Sequence, residues 1–428
     1  MINLSRYAFF ATSAVAIFTG TGCANMNRYT SDANALDAAM NLAADIPADT
    51  VVNPTDDAAA FQLQKSAYNP ADNRIATPAP PITPYPVNED FDTWDRVFRG
   101  FQIPHVYNQH PRVQQFVRYY GQNPEQLTML SERASVFLHM IVYELDNRHM
   151  PMELALLPFV ESAFNPDIFS RAGAAGLWQF IPSTGSNYGL LQTKHYDARL
   201  DPFAATGAAL TYLQKLHAQF NGDWLLALAA YNCGEGRVEQ AIAENRAKGQ
   251  PTNFWNLPLP KETREYVPRL LAFKELLSHA RYYGIQLPET PNTARLMQLR
   301  SDKPIDLTQL AITAGLHPEL LTSLNPCFRK GITTPEYSNR IILPREYAPM
   351  LVTIIEQLPP AHTSLSHNAQ RPTTPIKYAR TQVKGYNQLA TVRIGSNKKA
   401  KHSVQYANRN DTLRTANNNN HTLKQVGA

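Results

Sequence analysis

The sequence predicts a mainly helical domain followed by a small mixed α/β module, and three observations carry that reading. Leu127–Asn147 holds Leu130, Ala134, Phe137, Leu138, Ile141 and Val142 at helical spacing. Two later runs carry their own start signals: Asp201-Pro202 ahead of Phe203, Leu210, Leu213 and Phe220, and Asp223 ahead of Trp224–Cys233, with Gly234 placed to end the second. Strand-like alternation is scarce before Arg340-Ile341-Ile342-Leu343-Pro344, which closes the C-terminal module.

Bulk properties narrow the classes. Of 428 residues, 43% are hydrophobic and 18% charged, enough for a sizeable core and too few charges for wholesale disorder. Three cysteines (Cys23, Cys233 and Cys327) make no disulfide framework and no CxxC pair. Neither HExxH nor paired CxxC motifs occur, so no metal is expected. Residues 371–428 hold eleven Lys/Arg and one acid (Asp411), whereas the remainder holds 29 basic and 34 acidic residues. The basicity therefore belongs to the tail, and no nucleic-acid partner is expected.

Along the chain, residues 1–22 read as an export signal. Arg6 precedes an apolar stretch from Tyr7 to Phe18, too short and too diluted by Ser and Thr to span a membrane. Cys23 follows Gly20, Thr21 and Gly22, which is similar to a bacterial lipoprotein signal with the cysteine lipidated. Gly20 departs from the Leu, Val or Ile usual there, and Gly20 with Gly22 would also satisfy an ordinary signal peptidase. An outer-membrane lipoprotein facing the periplasm is expected, with a soluble periplasmic form as the alternative. Residues 23–90, with Pro70, Pro78, Pro80, Pro81, Pro84 and Pro86, read as a semi-rigid tether. Order begins near Trp94. Met152–Val160 is predicted as one helix bent at Pro158, and a further helix runs from about Lys261 to Tyr283. The main domain is placed at 91–290, the small module at 291–358, and a basic, Asn-rich tail at 359–428.

The chemistry centres on Leu156-Leu157-Pro158-Phe159-Val160-Glu161-Ser162-Ala163-Phe164. A carboxyl among Leu157, Val160 and Phe164 has its charged form disfavoured, which keeps a proton available near neutrality. Protonating a glycosidic oxygen requires such an acid. A solvated glutamate at a helix end is the bland reading, and the company of other motifs weighs against it. Gly173-Ala174-Ala175-Gly176-Leu177-Trp178-Gln179-Phe180, Ala229-Ala230-Tyr231-Asn232-Cys233-Gly234-Glu235-Gly236 and Glu262-Thr263-Arg264-Glu265-Tyr266-Val267 offer Gln, Asn and Tyr groups suited to sugar hydroxyls and N-acetyl groups.

Together these segments resemble the catalytic domain of lytic transglycosylases related to goose-type lysozyme. They match that family's Glu-Ser, Gly-Leu-Trp/Met-Gln, Ala-Tyr-Asn and Glu-Thr-x-x-Tyr-Val motifs in order. Trp94-Asp95-Arg96, Tyr196–Pro202 and Gly222-Asp223-Trp224 are similar to the D subgroup of the membrane-bound murein transglycosylases, over roughly residues 91–345. The implied fold class is mainly α, within the α+β lysozyme-like superfamily. By the same resemblance Glu161 is the acid/base, and Ser162, Gln179, Tyr231, Asn232 and Tyr266 surround the sugar or the acid. Cys233 departs from the usual small residue, and Trp178, read as part of a helix-opening motif, is expected in the core.

The resemblance implies cleavage between N-acetylmuramic acid and N-acetylglucosamine in peptidoglycan, without water and with no cofactor, leaving 1,6-anhydromuramyl ends. Glycan strands are the expected partner, beside the outer membrane through a lipid anchor. Most glycosidases use two carboxylates. Here no second acid stands in the motif around Glu161, while Asp197, Asp201 and Glu262 lie in the other segments. A helix-cap role suits Asp201 and a helix-dipole role suits Glu262. A hydrolase on the same fold and a non-catalytic glycan-binding envelope protein are the competing readings. Leu307–Pro344 resembles a lysin-motif-like βααβ glycan-binding module, and the tail carries incomplete echoes of it around Val383–Val392 and Asn410–Leu413.

Overall fold

The computed structural model describes residues 92–361 and the backbone of 391–394. The export signal, Cys23, the tether and nearly all of the basic tail, Asn410–Leu413 included, lie outside the described residues. Helix α1 (Thr93–Arg99) opens the described chain. Asp92 caps it, accepting from Trp94 N at 2.7 Å, and its second carboxylate oxygen accepts from Thr290 N at 2.6 Å. One side chain thus ties the start of the helical region to its end.

Helices α2 (Pro111–Gly121) and α3 (Pro124–Asn147) follow. The α3 stripe from Leu127 to Leu145 is buried as its periodicity predicts. Its start lies three residues ahead of the predicted one, because Pro124 fits a first turn, where its missing N–H has no partner to lose.

The same property of proline corrects the next element. Met152–Val160 is not one bent helix: Met152–Leu156 is a 3-10 segment, and α4 (Leu157–Glu161) starts afresh with Pro158 in its first turn. Starting a new helix there avoids placing the ring against a preceding carbonyl.

Helices α5 (Pro182–Asn187), α6 (Pro202–Gln219), α7 (Trp224–Cys233), α8 (Glu235–Ala247) and α9 (Lys261–Ser278) complete the helical region. Asp201 accepts from Phe203 N and Ala204 N, and Asp223 from Leu225 N and Leu226 N, so both predicted caps form. Gly234 ends α7 at φ +87°, a backbone conformation that costs glycine little. Helix α9 stops at Ser278, five residues before the predicted end, and the chain turns through 279–284.

Helix α9 packs against α4 and against Met152–Leu156. A buried ion pair fixes that contact. Lys274 Nζ lies 2.9 Å from Glu153 Oε1 and donates to the Ile103 carbonyl at 2.5 Å, and both side chains are fully buried. Glu153 also accepts from the Gln102 and Ile103 amides, so its charge is met by three donors.

The C-terminal segment has the predicted βααβ order: β1 (Leu296–Ser301), α10 (Leu307–Thr313), α11 (Leu320–Leu324) and β2 (Arg340–Pro344). Strands β1 and β2 pair antiparallel, Leu299 opposite Ile341. After α12 (Ala348–Gln357), a strand unforeseen from the composition of the tail, β3 (Thr391–Ile394), pairs parallel to β1 and gives the order β2-β1-β3. Asn325, which follows α11, donates to the Leu321 and Ile342 carbonyls and accepts from Ile342 N, binding α11 to β2. The described chain is mainly helical, with its strands confined to this C-terminal part.

Candidate active site

Glu161 is the last residue of α4, and the chain reverses immediately after it. Ser162 N and Phe164 N both donate to the Pro158 carbonyl, while Ala163 and Phe164 take φ values of +49° and +57°. Consecutive left-handed residues other than glycine are strained and persist only where the surroundings hold them. Here Phe164 is buried edge-on against Phe159 at 4.9 Å. The reversal leaves the Glu161 side chain at an abrupt helix end.

Tyr266 Oη donates to Glu161 Oε1 at 2.5 Å. Part of the Glu161 surface stays accessible, as contact with a ligand requires, yet protein atoms crowd the carboxyl. Desolvation raises its pKa from the ordinary 4.5 to about 8; the Tyr266 hydrogen bond opposes the rise and the nearby Glu262 charge adds to it. The phenols of Tyr266 and Tyr231 are themselves held well above their ordinary value, first by burial and then by the Glu161 charge, so both act as neutral donors.

The other predicted residues, in separate segments, are fixed by hydrogen bonds. Thr263 and Tyr266 lie three apart on α9 and therefore share a face. Thr263 Oγ1 donates to Asn232 Oδ1 at 2.7 Å, and Asn232 Nδ2 donates to Glu262 Oε1 at 3.4 Å, fastening the end of α7 to the start of α9. Tyr231 Oη donates to the Trp178 carbonyl at 2.8 Å. Gln179 sits at φ +46° with its side-chain amide donating to the Gly176 carbonyl at 2.9 Å.

Ser162 stands differently. Its hydroxyl donates to the Leu177 carbonyl at 2.9 Å and the residue is fully buried, so it ties the Glu161 turn to the 173–180 loop and exposes no surface to a ligand. Trp178 is also fully buried, with its indole N–H donating to Thr206 Oγ1 at 2.9 Å, a core residue as expected. It does not open a helix: residues 173–180 form a loop with Ala175 bridged to Phe180, and α5 begins at Pro182.

That loop depends on Gly176. Its φ is +79°, and a Cβ there would stand 2.1 Å from the Arg199 carbonyl oxygen. Arg199 spans the loop, donating to the Gly173 carbonyl at 2.7 Å and the Phe180 carbonyl at 3.0 Å, and Asp197 holds its guanidinium through both carboxylate oxygens. Among the described residues, no group of three or more His, Cys, Asp or Glu is placed to hold a metal ion.

Residues 139–254, which include Glu161, Ser162, Gln179, Tyr231 and Asn232, match the family model described as Transglycosylase SLT domain. This stretch of the chain is similar to the transglycosylase SLT domain. Residues 295–354 match a second family model, Lytic transglycosylase MltD, LysM-like domain. The chain is 42% identical over 265 residues to the membrane-bound lytic murein transglycosylase D of Escherichia coli K12, an alignment covering 61% of this chain and 58% of that protein. It is 31% identical over 123 residues to the soluble lytic murein transglycosylase of Salmonella typhimurium, covering 28% and 19%. The solved 70 kDa soluble lytic transglycosylase of Escherichia coli superposes with a TM-score of 0.31 at 24% identity, covering 44% and 33%. The chain thus spans a little over half the length of the first of these relatives.

Tyr266 lies beyond the matched 139–254 stretch and reaches the Glu161 carboxyl from α9. Thr263, absent from the predicted site, was legible three residues before Tyr266 in the Glu-Thr-x-x-Tyr-Val segment. Nothing in the sequence signalled the Asp197–Arg199 clamp, because the role of a buried pair depends on what folds against it. Asp197 is occupied by Arg199 and Asp201 caps α6. Of Asp197, Asp201 and Glu262, it is Glu262 whose charge acts on Glu161.

Proposed function

We propose that the protein is a lytic transglycosylase that cleaves the β-1,4 bond between N-acetylmuramic acid and N-acetylglucosamine in peptidoglycan, with Glu161 as its single acid/base. The observation that carries this is a carboxyl raised to about 8 and hydrogen-bonded by Tyr266, beside the Gln179, Tyr231 and Asn232 segments. Such an acid is protonated at neutral pH. With Oε1 accepting from Tyr266, its proton sits on Oε2. That proton passes to the bridging oxygen as the bond to C1 of the muramyl residue breaks. The resulting carboxylate, stabilised by Tyr266, takes the proton of the muramyl 6-hydroxyl as O6 bonds to C1. Glu161 is again an acid, the product carries a 1,6-anhydro ring, and no water is consumed.

Gln179 and Asn232 supply amide groups for substrate hydroxyl and N-acetyl groups, and Ser162 and Tyr231 hold the walls of the site. The catalytic domain occupies 91–290 and the glycan-binding module 291–358. Residues 1–22 direct export, and lipid on Cys23 anchors the protein in the outer membrane facing the periplasm. Support for the anchor comes from the Tyr7–Phe18 stretch ahead of Gly22-Cys23 and from the Escherichia coli relative, which is a membrane-bound transglycosylase. If Cys23→Ser stays in the membrane fraction, the lipid anchor is wrong.

The deciding experiment is mass spectrometry of purified murein digested by the full chain and by Glu161→Gln. Anhydromuramyl ends from the wild type and none from Glu161→Gln are expected. Reducing ends would replace the reading with hydrolysis, for which Glu262 is the candidate second carboxylate. No products would leave a binding protein.

A further inference from the structure

We propose that Arg329, in the LysM-like segment, is a positioning residue for the active-site loop 173–180, so that this segment completes the catalytic unit as well as offering a glycan-binding surface. The proposal rests on the transglycosylase reading for its kinetic consequence, and on geometry alone for its structural one.

Arg329 Nη2 donates to Asp197 Oδ2 at 2.8 Å, the same oxygen that accepts from Arg199 Nη2 at 2.8 Å. Asp197 is buried and Arg329 about one-third exposed. The carboxylate therefore relates a cation of the LysM-like segment to the cation that spans loop 173–180. Arg199 in turn grips both ends of that loop, at Gly173 and Phe180, and its own carbonyl presses on Gly176.

The loop has two outlets to Glu161. The Trp178 carbonyl accepts from Tyr231, whose phenol responds to the Glu161 charge, and the Leu177 carbonyl accepts from Ser162, next in the chain to Glu161.

Backbone contacts set Arg329 in place. Asp197 N donates to the Cys327 carbonyl at 2.9 Å and Arg329 N donates to the His195 carbonyl at 3.0 Å. Tyr196 packs on Phe328 at 5.5 Å. The Arg329 guanidinium also lies 4.8 Å from the centre of the Phe169 ring, a short distance past Glu161 in the chain. Arginine suits this position because its planar fork can lie over a ring while donating to a carboxylate, which a lysine ammonium does less well.

The test compares the full chain with Arg329→Gln, Arg329→Lys and Lys330→Ala on short soluble glycan strands. Amide hydrogen exchange of the peptides spanning 170–181 is measured alongside. Arg329→Gln is expected to exchange faster in 170–181 and not in α6. Its kcat should fall about tenfold, less than the ~10²-fold that a 1 Å misplacement of reacting groups can cost, with KM held within about twofold because no sugar contact is removed. Arg329→Lys should recover part of the loss. Lys330→Ala, an exposed neighbour of the same charge, should match the wild type, which separates positioning from general attraction to anionic murein. Unchanged exchange in 170–181, an unchanged kcat beside an active wild type, or an effect on KM alone would each overturn the proposal. A wild type that yields no anhydro product would sink the transglycosylase reading instead, while the exchange comparison would still decide the role of Arg329.

Discussion

The Tyr266 hydroxyl meets Glu161 Oε1 at 2.5 Å across 105 positions of sequence, joining the end of α4 to the second turn of α9. This bond favours the carboxylate, while burial and Glu262 favour the acid, and the acid prevails with a pKa of about 8.

The pH dependence follows from that balance. An acid that must be protonated to cleave loses activity as pH rises, so kcat/KM of the free enzyme should fall through about pH 8. Tyr266→Phe removes the one influence that lowers the pKa, so the midpoint of the fall should move to higher pH. Paired pH–rate profiles measure this, and a midpoint displaced downward contradicts the assignment.

Stability carries the same signature with its own sign. The folded state holds the Glu161 proton up to about pH 8, whereas the unfolded chain releases it near 4.5. Between those values the folded state binds more protons, so wild-type stability declines as pH rises. Glu161→Gln has no proton to lose. Its melting temperature should approach that of the wild type below pH 4.5 and exceed it by roughly 3 °C or more at pH 9, since a domain of this size moves about 2–4 °C per kcal/mol. Parallel thermal unfolding series at several pH values decide it.

Gly176→Ala tests the loop. The new methyl group would meet a backbone oxygen at 2.1 Å, and the residue would be held at φ +79°. Left-handed strain costs about 1–3 kcal/mol on its own, and the collision adds to it because Arg199 is fastened to Asp197. A lower melting temperature together with at least a tenfold loss of murein cleavage is expected. Normal values of both would show that the loop has room to move.

Lys274→Met should be among the most destabilising single changes in the helical region. It leaves Glu153 fully buried without its cation, a circumstance that typically costs ~3–5 kcal/mol. Replacing both, as Lys274→Met with Glu153→Leu, should recover much of the loss. Chemical denaturation of the three proteins gives the comparison, and a double variant weaker than the single one would show that the backbone donors at residues 102–103 depend on the carboxylate.

Helix positions were legible in the sequence where a local signal decides them. The α3 stripe, the Asp201 and Asp223 caps and the Gly234 stop each act within a few residues, and all of them formed. The apolar setting of Glu161 was legible for the same kind of reason, from Val160 and Phe164 beside it, whereas its reading as an acid needed the three other motifs as company. The break at Leu157 was misjudged because Pro158 admits either a bend or a fresh start, and only packing against α9 selects between them.

What the tertiary structure alone decided is which polar groups find each other. Ser162 reads as a sugar contact and turns inward to the Leu177 carbonyl; Asp197, in sequence no more than an acid in another segment, holds both its near neighbour Arg199 and Arg329 from 132 positions on. Strand β1 lacked a period-2 signal because nearly all of its residues are buried, and such a run cannot be told from a buried helix without its partners. Local propensity and periodicity act over one or two turns and are written in neighbouring residues. A hydrogen bond between Glu161 and Tyr266 is set by the packing of α4 on α9, and that distance exists only once the chain has folded.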